Sequence, residues 1–159
     1  MRRPDVNLLA TDEMPAVGTD AAQALKLWVV LARAHAAITD RATADVARHG
    51  LTLAEFGILE ALYHKGPMLL GEVQRRILVS SGGITYLVDR LVQRGLLERR
   101  LCAEDRRARY AALTEAGRAL VERIFPEHAE MIRQALSGLS STEQATAIGL
   151  LRTLGKSVG

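Results

Sequence analysis

The fold is decided by residues 82–113, which read GGITYLVDRLVQRGLLERRLCAEDRRARYAAL. In the first part, apolar residues recur at alternating steps of three and one, the spacing of one face of an α-helix. This pattern predicts a helix over Gly82–Arg94 that ends at Gly95. The segments LLERRL (96–101) and RYAAL (109–113) are typical of two short strands on either side of a charged turn. The stretch therefore predicts a helix followed by a β-hairpin.

Two shorter helical patterns precede this stretch. Thr52 and Glu55 have the spacing of a capping box, which predicts the start of a helix that ends at Lys65-Gly66. A second short helix is expected over Leu69–Ile77. Three short helices followed by a β-hairpin are the layout of a winged helix-turn-helix, in which the third helix enters a DNA groove.

Longer helical patterns flank this unit. One runs from Asp20 to Arg48, and a 29-residue amphipathic helix can bury its apolar stripe only against several helices or a second subunit. Another begins at Thr114 and is expected to kink or break at Pro126, and Ser140 or Ser141 caps a last helix. The predicted fold is mainly α with a small β-hairpin wing, a winged helix-turn-helix plus a helical dimerisation layer from both chain termini. Its predicted parts are a flexible N-terminal arm (1–19), dimerisation helix 1 (20–50), a winged helix-turn-helix DNA-binding domain (51–113) and C-terminal dimerisation helices (114–159).

The composition excludes several classes of protein. Of 159 residues, 48% are hydrophobic and 25% charged, which rules out a disordered chain. Neither a signal-peptide pattern nor a stretch of about 20 apolar residues occurs, and the single cysteine excludes an intrachain disulfide. We therefore expect a soluble cytoplasmic protein.

The positive charge of the chain is concentrated in one segment. The net charge is only +3, but Arg75–Arg109 holds nine arginines against four carboxylates, whereas the remainder holds 12 basic and 14 acidic residues. Arginine binds phosphate and guanine edges through two parallel hydrogen bonds. A solvated charged face is the alternative interpretation, but the adjoining hairpin favours DNA binding.

The predicted DNA contacts lie on and around the predicted recognition helix and on the hairpin. Ser80 or Ser81 is expected to cap the helix, whose first backbone N–H groups can bind a phosphate. Asp105 is expected to pair with a neighbouring arginine so that another arginine enters a minor groove; an ordinary exposed charge pair is the alternative. The full predicted set is Ser80, Ser81, Gly82, Thr85, Tyr86, Asp89, Arg90, Arg94, Asp105, Arg106, Arg107 and Arg109.

The region Leu51–Leu120 resembles the MarR family of bacterial transcriptional regulators. The resemblance is carried by VDRLVQRGLLERR (88–100), by DRRARYAALTEAG (105–117) and by Leu51-Thr52. It implies a triangular homodimer on a pseudo-palindromic operator, with recognition helices in successive major grooves and wings at the flanking minor grooves. Asp105 and Arg107 match the family's Asp-x-Arg wing motif. Gly82-Gly83 departs from the family, since many members carry a polar residue or proline there.

The resemblance also implies a ligand site, because small anionic and often phenolic ligands commonly relieve repression in this family. Such effectors bind between the dimer layer and the DNA-binding lobe. Candidate residues for this place are Trp28, His35, Phe56, Tyr63, His64 and Met68. Core packing is the simpler interpretation of Trp28, and a core or interface role is the simpler one of His35.

Other chemistries have little support in the sequence. The four histidines lack the spacing of metal ligands, and no catalytic triad, phosphate loop or carboxylate pair stands out, so no cofactor or enzymatic activity is expected. Arginines near Cys102 could favour a reactive thiolate, although an ordinary strand residue is the simpler interpretation.

The sequence therefore predicts a homodimeric, sequence-specific DNA-binding transcriptional regulator, a repressor released by a small ligand. The alternative is a winged-helix module for protein association, whose arginine-rich surface matches an acidic partner without specific DNA binding.

Overall fold

The computed structural model describes residues 18–77, 83–101 and 109–158. The helices and strands confirm a mainly α-helical fold with a β-hairpin. In chain order they are α1 (Thr19–Ala47), α2 (Leu53–Lys65), β1 (Met68–Leu69), α3 (Leu70–Arg76), α4 (Ile84–Gln93), β2 (Leu97–Leu101), β3 (Arg109–Leu113), α5 (Glu115–Ala135) and α6 (Ser141–Val158). The chain divides into two compact units within α1, between Ala37 and Ile38. None of the helices in these ranges is long and apolar enough to cross a membrane.

The predicted hairpin is present and pairs with a third strand. β2 and β3 are antiparallel, with Leu97 opposite Leu113 and Leu101 opposite Arg109. β1 joins the other edge of β3, so the described sheet has the order β1-β3-β2. Sequence patterning missed β1 because a strand of two residues has no measurable alternation and directly precedes a helix.

Side-chain caps fix the starts of α2 and α6. The Thr52 hydroxyl accepts a hydrogen bond from the Glu55 amide at 3.2 Å, and the Glu55 carboxylate accepts one from the Thr52 amide at 2.8 Å, which confirms the capping box. Ser140, rather than Ser141, caps α6 by the same exchange with Glu143.

The start of α4 differs from the prediction. It begins at Ile84, two residues later than expected, and Gly83 occupies the N-cap position without a side-chain cap. Ser80 and Ser81, the predicted caps, lie outside the described residues. At the other end, Gly95 has a φ of +70°, a conformation that glycine adopts without steric cost, and it ends the helix as predicted.

Of the kink or break predicted at Pro126, the break is wrong, because α5 continues through it to Ala135. Proline removes one backbone N–H, but Pro126 is exposed, so water can reach the carbonyl that loses its partner. Val121 and Ile124, in the turns before it, are completely buried. Their packing holds the helix in place across the missing hydrogen bond.

One apolar core occupies the unit that starts at Ile38, and it draws on α2, α3, α4, the sheet and α5. Its largest fully buried members are Phe56, Ile58, Leu59, Leu62, Leu91, Leu97 and Ile124. Because α4 contributes Val88 and Leu91 to this core, its opposite face is turned outward.

Candidate nucleic-acid interface

Helix α4 has one buried and one outward face, as its pattern predicted. Val88 and Leu91 are completely buried, and Ile84 and Leu87 pack partly against the same core. Thr85, Tyr86 and Gln93 are exposed, Tyr86 to 65%. The outward face thus offers a hydroxyl, a phenol and an amide, all groups that can hydrogen-bond to DNA.

Two arginines of α4 lie against a buried carboxylate. Arg90 Nη2 is 3.4 Å from Glu55 Oε1, and Arg94 Nη1 is 3.9 Å from Glu55 Oε2. Arg94 Nη1 also donates a hydrogen bond to the carbonyl of Gly50 at 2.9 Å. Both side chains are partly exposed, so each guanidinium keeps N–H groups turned toward solvent.

A further ion pair joins α4 to the wing. Asp89 Oδ1 lies 2.7 Å from Arg99 Nη2 on β2, and next to it Arg100 Nη2 lies 2.6 Å from Glu98 Oε1. These pairs are partly exposed and each is worth about 0–1 kcal/mol. Their effect is to hold the arginines of β2 in place beside α4. Asp89, a predicted DNA contact, therefore has an intramolecular partner.

Several predicted contacts fall on parts of the chain that the structure does not describe. Ser80, Ser81 and Gly82 precede α4 in the sequence, and Asp105, Arg106 and Arg107 fall between β2 and β3; these residues, and Cys102 with them, lie outside the described residues. Arg109 is the first residue of β3. The structure thus describes the base of the wing, which lies beside α4. The role of the residues between β2 and β3 stays a prediction.

The predicted ligand residues are dispersed. Phe56 and Met68 are buried in the core, whereas Tyr63, on the side of α2, donates a hydrogen bond from its hydroxyl to Glu122 at 3.3 Å and faces the guanidinium of Arg118 at 5.3 Å. The neighbouring His64 stacks edge-on against Phe125.

The remaining two ligand candidates, Trp28 and His35, are exposed on the first part of α1. Trp28 is exposed to 66%, so its interpretation as a core residue is wrong for the single chain.

One buried ion pair was not anticipated from the sequence. Asp45, near the end of α1, is buried, and its Oδ2 lies 2.9 Å from His128 Nδ1 on α5; Arg48 hydrogen-bonds to the same carboxylate. Burial raises the pKa of Asp45, but the hydrogen bonds and charges of His128 and Arg48 outweigh it and leave the pKa below its ordinary value. No local pattern could have revealed a contact between residues 83 positions apart.

Comparison with known proteins identifies regulators with this architecture. A model described as MarR family matches residues 49–108. The HTH-type transcriptional regulator MhqR of Bacillus subtilis is 42% identical over 133 residues, which is 84% of this chain and 92% of that protein.

Two solved structures are similar over most of their length. Sco3205, a MarR family regulator of Streptomyces coelicolor in complex with DNA, has a TM-score of 0.79 at 22% identity and covers 92% of each chain. BpsR of Bordetella bronchiseptica, whose DNA binding is regulated by 6-hydroxynicotinic acid, has a TM-score of 0.71 at 31% identity over 79% of this chain and 90% of its own.

Proposed function

The chain belongs to the MarR family of DNA-binding transcriptional regulators, and from this premise we propose that it is a homodimeric repressor that binds a pseudo-palindromic operator. The observation that carries the proposal is α4 itself. Its apolar face is fixed in the core by Val88 and Leu91, and its polar face is exposed. A helix held in this way can enter a major groove without losing its own packing.

The polar face and the wing have different tasks in this proposal. Thr85, Tyr86 and Gln93 are positioned to contact base edges, which carry sequence information. Arg99 and Arg100 on β2 stand beside them and supply positive charge to the phosphates. In the proposal, the tip residues Asp105, Arg106 and Arg107 with Arg109 reach the flanking minor groove.

The terminal helices support the dimer. In the part of the chain that the structure describes, α6 buries no residue, yet it exposes large apolar side chains. α1 does the same along its first part. These exposed residues are Leu25, Leu27, Trp28 and Val30 on α1, and Ile148, Leu150, Leu151, Leu154 and Val158 on α6. Apolar patches of this kind are typical of protein–protein interfaces. We propose that residues 20–50 and 114–159 form the dimer layer and residues 51–113 the DNA-binding domain.

A small ligand is the proposed signal that releases DNA. The similarity to BpsR, whose DNA binding 6-hydroxynicotinic acid regulates, supports an anionic aromatic effector. Trp28 is the single tryptophan and is exposed in the chain, so its fluorescence reports on any ligand or subunit that covers it. Titration with 6-hydroxynicotinate and with salicylate should quench or shift this emission. Unchanged emission with both ligands would contradict Trp28 as part of the site.

DNA binding is tested with the DNA upstream of the protein's own gene and a scrambled duplex of equal length. The wild-type protein should bind the first more tightly, and Thr85→Ala should reduce that preference. Arg107→Ala should weaken binding to both and lower the salt slope by about one unit. Arg33→Ala, a loss of the same charge on α1, is the control and should leave both affinities unchanged.

The alternative function predicts a different result. A winged-helix module for protein association forms no specific DNA complex, and its arginines bind an acidic protein. Absence of any preference for the upstream DNA in the wild type would therefore overturn the proposed function. Unchanged binding of Arg107→Ala would overturn only the wing assignment.

A further inference from the structure

We propose that Glu55 is a positioning residue for operator recognition: its buried carboxylate fixes α4 against the start of α2 by holding Arg90 and Arg94. This inference rests on the proposed role of α4 in operator binding. Glu55 lies on α2 and its side chain is fully buried, so it acts through the two arginines and not by contact.

The geometry forms a clamp between two helices. Arg94 directly follows α4 and keeps a helical conformation, with its amide bonded to the carbonyl of Arg90, so the two side chains, four positions apart, lie on the same side of the helix. Both approach the Glu55 carboxylate, at 3.4 Å and 3.9 Å, and Arg94 also donates to the Gly50 carbonyl just before α2. The C-terminal half of α4 is thus tied to the turn at which α2 begins.

The burial of Glu55 makes this clamp necessary. Its side chain is 0% exposed, and a buried carboxylate is strongly unfavourable without a positive partner. Oε2 accepts the hydrogen bond of the α2 cap from the Thr52 amide. Oε1 makes no hydrogen bond within the described residues, so what stabilises it is the positive charge of Arg90.

Arg90 is suited to connect this carboxylate to DNA. Its side chain is 41% exposed, and Nη2 is the nitrogen that lies 3.4 Å from Glu55, so this carboxylate does not use all five N–H groups of the guanidinium. A bound phosphate or base edge can use the remaining N–H groups while Nη2 stays on Glu55. The carboxylate then sets where the guanidinium meets the DNA.

Loss of the Glu55 charge should affect non-specific and operator DNA in opposite directions, which a general loss of fold stability would not do. The cluster of Glu55, Arg90 and Arg94 carries one net positive charge, and neutralising Glu55 raises it to two. Non-specific DNA responds to charge alone and should bind as well or better. Operator DNA also requires the correct placement of α4 and should bind worse.

The decisive variant is Glu55→Gln, because glutamine retains the hydrogen bond to the Thr52 amide and removes only the charge. The matched control is Glu115→Gln, the same charge change at an exposed residue in the first turn of α5. Affinities for upstream and scrambled DNA are measured by fluorescence anisotropy at several salt concentrations. We expect Glu55→Gln to lower the ratio of specific to non-specific affinity about tenfold, and Glu115→Gln to leave the ratio unchanged.

A double-mutant cycle tests whether Glu55 acts through Arg90. Arg90→Lys keeps the positive charge but loses the planar fork, so the salt slope should stay constant while the affinity ratio falls. In the Arg90→Lys background, Glu55→Gln should cause little further loss. Independent effects, multiplying in the double variant, would overturn the proposal.

The remaining outcomes are also decisive. A wild type with specific binding and a Glu55→Gln ratio equal to that of Glu115→Gln overturns the role of Glu55 alone, whereas a wild type without specific binding overturns the proposed function and this role with it. If Glu55→Gln does not fold, hydrogen exchange of the α4 amides in free Arg90→Lys decides instead. Faster exchange in α4 than in the wild type supports the clamp, and unchanged exchange overturns it.

Discussion

The winged-helix region (residues 51–113) and helix α6 contain the same kinds of apolar residue, but the first buries them and the second exposes them. Leu59, Leu62 and Leu91 are completely enclosed by their own chain, whereas Leu150 and Leu151 of α6 are exposed. Hydrophobic burial drives both arrangements, since apolar area in water is unfavourable wherever it lies. The winged-helix region therefore completes its core within one chain, and α6 offers a surface that another chain can complete.

This difference also separates two kinds of function. DNA recognition needs side chains held at fixed positions, and the enclosed core supplies a rigid base for α4. The proposed dimer layer needs an exposed apolar surface, and α6 has one. Nine arginines lie between Arg75 and Arg109 in the first region and one, Arg152, lies in α6, so the arginine-rich segment is separate from the exposed apolar surface of α6.

The largest expected effect is loss of the core around Phe56. Its side chain is 1% exposed, and its ring lies 4.8 Å from that of His128. Phe56→Ala should lower the free energy of unfolding by about 3–5 kcal/mol in urea denaturation. Tyr86→Ala, the removal of an exposed aromatic side chain, is the control and should cost less than about 0.5 kcal/mol. Equal losses from the two variants would contradict the enclosed core.

Glycine-to-alanine substitutions compare the two regions directly. A Cβ atom at Gly117, in the first turn of α5, would lie 2.0 Å from the carbonyl oxygen of Leu96, so backbone must move. We expect Gly117→Ala to lower stability by about 3 kcal/mol in thermal unfolding. At Gly149 in α6 no described atom lies within 4 Å of the added Cβ.

Gly149→Ala is therefore the matched control. It should raise stability by about 0.5–1 kcal/mol, because alanine favours a helix more than glycine does. A loss at Gly149 would show that the assembled protein covers α6 closely at this residue, which would sharpen the comparison. A gain at Gly117 would break it.

Local features of the fold were predictable and distant contacts were not. The Thr52–Glu55 capping box and the two faces of α4 depend on residues within one or two helical turns, so spacing alone revealed them. The pairing of Glu55 with Arg90 depends on how two helices pack. The sequence showed the capping role of Glu55 and gave no sign of its second role.

The same limit applies to burial. Trp28 lies on an apolar stripe, and a stripe predicts that a face is covered without saying by which chain. For this reason the expectation of core packing was wrong for the single chain. The predicted short helix includes Leu69, which instead pairs with Tyr110 across the sheet, because a two-residue strand depends on its partner strand and not on its own pattern.

The Asp45–His128 pair predicts a pH effect at the junction of α1 and α5. Because the pKa of folded Asp45 lies below its ordinary value of 3.8, the charged carboxylate stabilises the fold above that pH. This stabilisation is lost as the pH falls below about 4 and the carboxylate takes up a proton. Asp45→Asn should therefore cost about 2 kcal/mol at pH 7, and the difference from the wild type should shrink below pH 4.

The control for this effect is Asp40→Asn on the exposed side of the same helix. Its unfolding free energy should follow that of the wild type across the pH range. A difference between Asp45→Asn and the wild type that stays constant down to acid pH would show that the charge of Asp45 is not what stabilises the junction. The side chains of His49 and Glu127 lie 3.8 Å apart close to this site. This pair is unchanged in the wild type and in both variants, so it does not account for a difference between them.

The smallest expected effect concerns α6 and depends on protein concentration. Leu151 is half exposed in the chain. If a dimer buries this side chain, the atoms that a substitution by alanine removes contribute about 1–2 kcal/mol to association. Leu151→Ala should raise the dimer dissociation constant about tenfold in sedimentation experiments, and Arg152→Ala on the next position should not.

Phe56→Ala lowers the stability of each chain at every concentration, because its contacts lie within one chain. Leu151→Ala should be less stable than the wild type only at concentrations at which the wild type is dimeric, because in the proposed dimer its contacts belong to two chains. A wild type that is monomeric at micromolar concentration would contradict this distinction. The apolar face of α6, by which this helix differs from the winged-helix region, would then be exposed to water in the native protein.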